Sequence, residues 1–169
     1  MTIDKIVVGP LETNCYVLSI DNQALVIDPG ADINKINKAI GNKKVIGCVI
    51  THYHFDHIGC IKYFDKIFDI HNLKEGMNTI GPFTFEVIYT PGHKEDLICL
   101  YFKESNIMFV GDFIFKNGIG RCDLKGGNIN QMKDSISKIS KYKSDIIVYP
   151  GHGKTTILGS ELKNINRHW

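Results

Sequence analysis

Four apolar segments of this chain each run directly into a turn that carries a histidine or an aspartate. The segments are KVIGCVIT, FTFEVIYT, NIMFVG and DIIVYPG, and their β-branched and aromatic residues are typical of β-strands. The side chains that follow them are His52, His93, Asp112 and His152, with glycine or proline directly before the last three. Glycine lets the backbone turn sharply and approach a site closely. We therefore expect a β-rich fold in which these distant turns come together.

The first of these turns, THYHFDHIG at residues 51–59, contains the pattern H-x-H-x-D-H. A single histidine is more often a half-buried polar residue than a metal ligand. So many titratable side chains in one short loop, however, would repel one another when protonated and would be costly to desolvate unless a cation compensated them. The cluster therefore predicts a metal site.

Seven side chains of metal-ligand type stand at strand ends or in the turns just beyond them, and they include five of the seven histidines. Imidazole with carboxylate suits zinc, iron or manganese, and the absence of cysteine from the set disfavours a closed thiolate site. Because the set exceeds what one tetrahedral ion needs, we predict two divalent metal ions bridged by one carboxylate. The predicted ligands are His52, His54, Asp56, His57, His93, Asp112 and His152.

The remaining segments predict a layered α/β arrangement. Further strands are predicted at KIVVG, NCYVLSI and QALVIDPG near the start of the chain and at LICLYF. Ile33, Ile36 and Ile40 recur at helical spacing behind a capping residue at Asp32. Two more helices are predicted, one for IGCIKYF after the H-x-H-x-D-H turn and one over residues 129–141. A chain of 169 residues fits one domain, residues 1–169.

The composition limits the partners and the cellular compartment that we expect for this protein. The net charge of +2 is spread along the chain, so we expect no nucleic-acid partner. No segment approaches the roughly 18 apolar residues that span a membrane, and the N-terminus lacks the apolar core of a signal peptide. The five cysteines are an odd number and form no C-x-x-C pair, which favours a reducing cytoplasm over a disulfide framework. The oligomeric state stays open.

The ligand pattern and its order along the chain resemble the metallo-β-lactamase superfamily. The H-x-H-x-D-H motif is followed by TPGH, GD and GHG in the order of that family, and VIDPG and IGRCDLKGG are also similar to it. The resemblance implies a four-layer αββα sandwich, in which two mixed β-sheets carry outer helices and the metal site lies at one edge of the sheets. It further implies that the first ion is held by His52, His54 and His93, the second by Asp56, His57 and His152, and that Asp112 bridges them.

Within this superfamily the chain is most similar to the glyoxalase II-like thioester hydrolases. That resemblance implies hydrolysis of an anionic small-molecule thioester or ester, of the hydroxyacylglutathione type, by a hydroxide that bridges two metal ions, in the first place zinc. Asp56 would orient the water as a catalytic residue. The chain ends soon after His152, so the resemblance is to a short form that lacks the C-terminal helical domain. Lys154 replaces a family tyrosine, and residues 94–96 replace a threonine-rich turn.

Other residues outside the ligand set have predicted roles. Arg121 and Lys116 are the candidates for binding a substrate carboxylate, because the equivalent loop of the family faces the pocket and arginine recognises carboxylates with two parallel hydrogen bonds. For Lys116 a solvated surface position is the preferred interpretation, and for Arg121 it is an equal alternative. Asp28 either supports a ligand-bearing loop or is a plain turn residue. His71 and His168 are interpreted as surface residues.

Three other functions fit parts of the same pattern. Persulfide dioxygenases resemble this motif set but use one iron held by two histidines and an aspartate, so the motif alone does not separate an oxidoreductase from a hydrolase. Metal-dependent nucleases of the superfamily usually carry an inserted domain and basic surfaces, which this sequence does not display. A non-catalytic metal-binding module would be expected to have lost some of the ligands.

Overall fold

The computed structural model describes residues 1–167, and its first half forms a five-stranded sheet. In order across the sheet, the strands are β1 Thr2–Val8, β2 Thr13–Ile20, β3 Gln23–Ile27, β4 Lys44–Val49 and β5 Ile67–Phe68. The first three strands are antiparallel neighbours, whereas β4 and β5 join in parallel. The connection from β3 to β4 contains α1 Ile33–Ile40. The connection from β4 to β5 contains α2 Phe55–Ile58 and a 3-10 turn at Ile61–Tyr63.

The second half forms a six-stranded sheet. Its strands are β6 Gly76–Ile80, β7 Phe83–Tyr89, β8 Ile98–Phe102, β9 Ile107–Gly111, β12 Ile147–Pro150 and β13 Thr156–Ile157, while β10 Ile114–Phe115 and β11 Gly118–Ile119 form a separate hairpin. The order across the sheet is β13-β12-β9-β8-β7-β6. β9 and β12 are parallel, and the other neighbours are antiparallel. The helices of this half are α3 Ile129–Ile139 and α4 Leu158–Asn166.

Alternating side chains of the central strands form the core between the two sheets. Leu18 and Leu25 of the first sheet belong to the same buried cluster as Phe85, Leu100 and Phe109 of the second. The intervening residues of these strands point to the outer faces and are buried as well. Strands buried on both faces are apolar throughout, which is why the sequence shows continuous apolar runs here.

Helices cover both outer faces of the sheets. Ile36 of α1 packs with Val17 and Val26 on the first sheet. Met132 of α3 and Leu158 of α4 pack on the second sheet, in a cluster that also contains residues of β8 and β9. The predicted four-layer sandwich of two mixed sheets is therefore confirmed. In the part of the chain that is described, no helix is long and apolar enough to cross a membrane.

The helix predicted for IGCIKYF is wrong. α2 ends at Ile58, and only the short 3-10 turn follows it. A Cβ on Gly59 would lie 2.1 Å from the carbonyl oxygen of Gly30, and the N–H of Cys60 donates to the carbonyl of Pro29 at 2.8 Å. These contacts tie the segment to the turn after β3, so that its backbone does not continue as a helix.

Two details of the predicted helices also differ. Asp32 occupies the N-cap position of α1, but its φ is 54° and its side chain makes no capping hydrogen bond. Its carboxylate instead accepts hydrogen bonds from the N–H of Gly9 and the ammonium of Lys35. In α3, Met132, Ile136 and Ile139 are buried as the spacing predicts, whereas Ile129 is 47% exposed at the first turn.

Candidate metal centre

The topology of the sheets brings four loops to one edge. β7, β9 and β12 run in the same direction, because β8 is antiparallel to both β7 and β9, and β9 is parallel to β12. The loops that follow these three strands therefore lie at the same edge of the second sheet. The loop after β4 reaches this edge from the first sheet, since the N–H of Ile98 donates to the carbonyl of Thr51 at 2.9 Å.

The first of two ligand clusters contains three imidazoles and one carboxylate. Nδ1 of His54 lies 3.2 Å from Nε2 of His52 and 2.9 Å from Nε2 of His93. Oδ2 of Asp112 lies 3.5 Å from Nε2 of His93. One ligand atom from each of these four side chains lies within 4.8 Å of all the others, a spacing that suits coordination of one ion.

The second cluster lies beside the first and shares a carboxylate with it. Oδ2 of Asp56 lies 3.5 Å from Nε2 of His57 and 3.2 Å from Nε2 of His152. Asp112 places Oδ1 3.3 Å from Nε2 of His57 and Oδ2 3.4 Å from Nε2 of His152. The structure thus brings all seven predicted ligands together, with Asp112 between the two clusters.

Two polar atoms inside this centre lack hydrogen-bond partners. Nε2 of His57 and Oδ1 of Asp112 are buried and form no hydrogen bond with the described residues. An unsatisfied buried polar atom costs about 1–3 kcal/mol, and such atoms in a native structure indicate an additional partner. The donor set of imidazole nitrogen and carboxylate oxygen fits zinc, iron or manganese, so the residues present fit a pair of divalent cations.

Outer contacts orient four of the imidazoles. Nδ1 of His93 donates to the carbonyl of Arg121 at 2.7 Å, and Nδ1 of His152 donates to the carbonyl of Leu11 at 3.0 Å. Nδ1 of His57 donates to Asp28 at 2.9 Å, and Nδ1 of His52 lies 3.1 Å from the Thr51 hydroxyl. A proton on Nδ1 leaves Nε2 with its lone pair toward the cluster, which is the form that binds metal.

Asp28 belongs to this outer layer, although one of its carboxylate oxygens lies within 4.8 Å of ring nitrogens of His52 and His57. Its Oδ1 accepts from the N–H of Thr51 at 2.7 Å, and its Oδ2 accepts from the Thr51 hydroxyl at 2.6 Å and from His57. With both oxygens occupied, Asp28 supports the ligand-bearing loop and is not a plain turn residue.

The protein charges by themselves favour ion pairs inside the centre. Burial raises the pKa of Asp112 and Asp56, but hydrogen bonds from His152 and the charge of His57 outweigh burial and hold both carboxyl pKa values below the usual range. Burial lowers the pKa of His57, yet the charge of Asp28 and the contact with Asp112 raise it to about 10. For His152, the two carboxylates likewise outweigh burial and raise the pKa to about 9. A cation in this centre would take the place of these protons.

The side chains predicted to bind substrate lie outside the clusters. The Arg121 guanidinium is exposed and pairs with Asp123 through Nε–Oδ1 and Nη2–Oδ2 contacts of 2.8 and 2.7 Å. Lys116 is exposed in the turn between β10 and β11. Both assignments stay predictions. His71 is exposed, and His168 lies outside the described residues.

Several contacts of the centre have no signal in the sequence. The Thr13 hydroxyl donates to Oδ2 of Asp56 at 2.8 Å, across 43 positions of the chain. The Tyr53 hydroxyl, between two predicted ligands, donates to the buried carboxylate of Asp69. The residue types are suited to hydrogen bonding, but the pairings depend on the tertiary fold.

Residues 8–79 and 75–152 match the sequence model of a family described as the metallo-beta-lactamase superfamily. An uncharacterized protein of Aquifex aeolicus is 32% identical, over 95% of this chain and 94% of its own. The probable metallo-hydrolase YqgX of Bacillus subtilis is 32% identical, over 88% of this chain and 89% of its own. The hydroxyacylglutathione hydrolase of Francisella tularensis subsp. novicida is 33% identical over 81% of this chain, and the match spans 61% of that protein.

Three solved structures extend the comparison. The BLEG-1 B3 metallo-beta-lactamase has a TM-score of 0.89 at 30% identity, over 96% of this chain and 97% of that one. TTHA1623, crystallised in a di-iron-bound form, has a TM-score of 0.86 at 25% identity, over 95% of this chain and 98% of that one. ETHE1 from Myxococcus xanthus has a TM-score of 0.87 at 23% identity, over 97% and 83%, and it shows the common fold alone.

Proposed function

The chain belongs to the metallo-β-lactamase superfamily, and from this membership we propose that it is a hydrolase that uses two bound metal ions to cleave thioesters. One observation carries the proposal: loops after four strands bring two adjoining sets of imidazole and carboxylate groups to one edge of the sheets. Nε2 of His57 and Oδ1 of Asp112 face each other at 3.3 Å at the junction of the sets, buried and without a hydrogen bond to any described residue. That is the state expected of atoms whose partner is a cation.

The ligand assignment follows the two clusters. We propose that His52, His54 and His93 hold one ion, that Asp56, His57 and His152 hold the other, and that Asp112 contacts both. Such ions lower the pKa of a coordinated water to about 7 in the case of zinc and polarise a substrate carbonyl. Zinc suits the donor set, and iron is the alternative because TTHA1623 was crystallised with two irons.

Asp56 has a second proposed role. Its carboxylate lies between His57 and His152 and is held by the Thr13 hydroxyl at 2.8 Å. A carboxylate fixed in this way accepts a hydrogen bond from a water in a defined direction, which makes Asp56 the residue proposed to orient the attacking water. The hydrogen bond from Thr13 reduces the freedom of the carboxylate to turn away.

A thioester suits this set of residues better than an amide. A thiol with a pKa of about 8.5 leaves as a thiolate without a proton donor, whereas an amine leaving group needs one. The relative from Francisella tularensis subsp. novicida is a hydroxyacylglutathione hydrolase, and its 33% identity over 81% of this chain supports the same substrate class. We therefore propose an anionic small-molecule thioester as the substrate.

The alternative is an oxidoreductase with one iron, as in the persulfide dioxygenases that resemble the same motif. Two histidines and an aspartate would suffice for that iron. The second cluster counts against it, because one ligand atom from each of Asp56, His57 and His152 lies within 4.8 Å of the others. Asp112 also turns one oxygen toward His57. This arrangement supports two ions and hydrolysis.

Metal analysis combined with a substrate panel tests the proposal. Protein purified without added metal is analysed for bound metals, and then zinc-, iron- and manganese-loaded samples are assayed with lactoylglutathione, other thioesters, an ester and a β-lactam. We expect about two ions per chain and thioester cleavage. About one iron per chain with oxygen uptake on glutathione persulfide would establish the oxidoreductase instead. Cleavage of the β-lactam alone would overturn the thioester assignment but keep the hydrolase.

A further inference from the structure

A cavity of about 550 Å³ opens beside the first ligand cluster. Its lining residues are His54, Lys94, Glu95, Leu124 and Lys125. His54 is shared between the cavity and the cluster, since its Nδ1 lies 2.9 Å from Nε2 of His93. A molecule that reacts at the metal centre can therefore extend into this cavity, and the groups that line it contribute to the choice of substrate.

Lys94 brings to this cavity a positive charge whose ion pair, with Asp96, is longer than a hydrogen bond. Its side chain is only 18% exposed, and its nearest acidic atom is Oδ2 of Asp96 at 3.7 Å. That distance exceeds the 2.7–3.2 Å of an N–H···O hydrogen bond, and the same oxygen already accepts from the N–H of Tyr53 at 3.2 Å. Nζ of Lys94 forms no hydrogen bond with any residue in the described range 1–167, so its donors remain available to a ligand.

Lys125 adds a second charge from the neighbouring loop. A Cβ built on Gly126 would lie 3.7 Å from Nζ of Lys94, which places the loop of Lys125 directly against the Lys94 turn. Lys125 is exposed and forms no ion pair within residues 1–167. Glu95 lines the same cavity, and its Cδ lies 3.6 Å from the same Cβ position. Its carboxylate would repel a bound oxyanion, so the side of the cavity that favours an oxyanion is that of the two lysines.

Arg121, one of the two residues predicted from the sequence for this role, is less suited to it. The Arg121 guanidinium already pairs with Asp123 through two hydrogen bonds. We propose that Lys94 and Lys125 bind a carboxylate of the thioester substrate in the cavity beside His54 and so select anionic substrates. This inference rests on the proposed thioester hydrolysis, and it assigns the specificity for charge to two lysines that lie outside the ligand set.

The test compares an anionic with a neutral thioester. Lys94→Met and Lys125→Met remove each charge and keep most of the side-chain volume, and Lys94→Arg restores the charge. With lactoylglutathione we expect kcat/KM to fall about tenfold for Lys94→Met and about threefold for Lys125→Met, with the larger loss at the less exposed lysine. With the lactoyl thioester of N-acetylcysteamine, which is neutral, we expect changes below about twofold, since no ion pair is lost. Lys94→Arg should recover most of the activity on lactoylglutathione.

Two controls exclude general effects. Lys38→Met removes one charge from the exposed side of α1 and should leave both substrates unaffected. Metal content is measured for every variant, because Lys94 follows His93 directly. A succinyl thioester of N-acetylcysteamine distinguishes the position of the carboxylate: sensitivity to Lys94→Met places the carboxylate on the acyl half, and insensitivity places it on the thiol half.

Calorimetric binding of S-methylglutathione, which cannot be hydrolysed, separates this inference from the proposed function. Lys94→Met should weaken its binding to the metal-loaded protein about tenfold. If the wild type cleaves no thioester but binds S-methylglutathione in a manner that depends on Lys94, the hydrolase proposal fails and the anion site stands. Equal losses on charged and neutral thioesters, or no loss on either, would overturn the inference.

Discussion

Nδ1 of His57 lies 2.9 Å from Oδ2 of Asp28, and this contact joins the turn after β3 to the ligand-bearing turn after β4. The two side chains are 0% and 2% exposed. The same carboxylate accepts two hydrogen bonds from Thr51 at 2.7 and 2.6 Å. Since loss of any member of this network leaves a buried group unsatisfied, Asp28 holds the orientation of His57 from outside the proposed ligand set.

The first prediction concerns Asp28→Asn. An amide has one oxygen and one NH2 group. The NH2 group would therefore face Thr51 or His57, which now donate hydrogen bonds to the carboxylate. We expect metal affinity to fall about 10–100-fold and the free energy of unfolding to fall by about 1–3 kcal/mol. Competition with a chelator measures the affinity, and urea unfolding measures the stability. Asp134→Asn, on the exposed side of α3, is the matched control and should change neither quantity.

The second prediction concerns Asp56→Ala. The substitution removes a proposed ligand of the second ion and the group proposed to orient the water, so we expect turnover to fall at least about 100-fold. Metal analysis should show loss of about one of the two ions, while circular dichroism shows the fold retained. Asp65→Ala, at an exposed aspartate, serves as the control. Unchanged turnover of the metal-loaded variant would contradict the proposed mechanism.

The parts of the fold that follow local rules are predictable from this sequence. The spacing of Met132, Ile136 and Ile139 marks α3, and the continuous apolar runs mark strands buried on both faces. α4 has no counterpart among the helices predicted from the sequence, although Leu158 and Ile165 have helical spacing and are buried. The extent of α2 was not predictable, because it depends on the approach of Gly59 to Gly30 across the fold.

In the candidate site, the ligands are predictable from the sequence and the groups that hold them in place are not. The seven ligand-type side chains stand out as residues next to strand ends, and the structure brings them together. The groups that orient these ligands do not stand out. His152 and His93 donate to the backbone carbonyls of Leu11 and Arg121, and every residue type has a backbone carbonyl. Only the tertiary structure decides which carbonyl meets which imidazole.

The third prediction concerns Tyr53→Phe. Burial raises the pKa of Tyr53 to about 12, with a further contribution from Asp69, so the hydroxyl stays protonated and donates to the Asp69 carboxylate. Asp69 is only 6% exposed, and loss of this donor leaves its carboxylate less satisfied. We expect the free energy of unfolding to fall by about 1–3 kcal/mol and metal affinity at the first cluster to fall several-fold, since Tyr53 stands between His52 and His54.

Tyr63→Phe is the matched control for this prediction, because Tyr63 is 57% exposed. It should change stability by no more than about 0.5 kcal/mol. Urea unfolding and chelator competition are measured on both variants. If Tyr53→Phe and Tyr63→Phe have equal effects, the hydrogen bond to Asp69 does not position the ligand loop.

The fourth prediction concerns Gly151, which directly precedes His152. A Cβ built on Gly151 would lie 2.1 Å from Oδ1 of Asp112 and 2.7 Å from Cε1 of His57. Gly151→Ala must therefore displace the carboxylate between the two clusters or the end of β12. We expect the protein to fold with stability lowered by about 1–3 kcal/mol, as for other overpacked sites, and to lose most of its bound metal and its turnover.

Gly118→Ala is the comparison, because a Cβ at Gly118 in β11 meets nothing within 4 Å. Both variants are analysed for thermal stability and for metal content after loading with zinc. If Gly151→Ala loses most of its bound metal while its thermal stability falls only slightly, the effect lies at Asp112 and His57. Overpacking away from the ligands would lower the stability but leave the metal content unchanged. If the alanine variant keeps both ions and full turnover, Asp112 can move by more than an ångström without consequence, and it would then not be the carboxylate that joins the two ions.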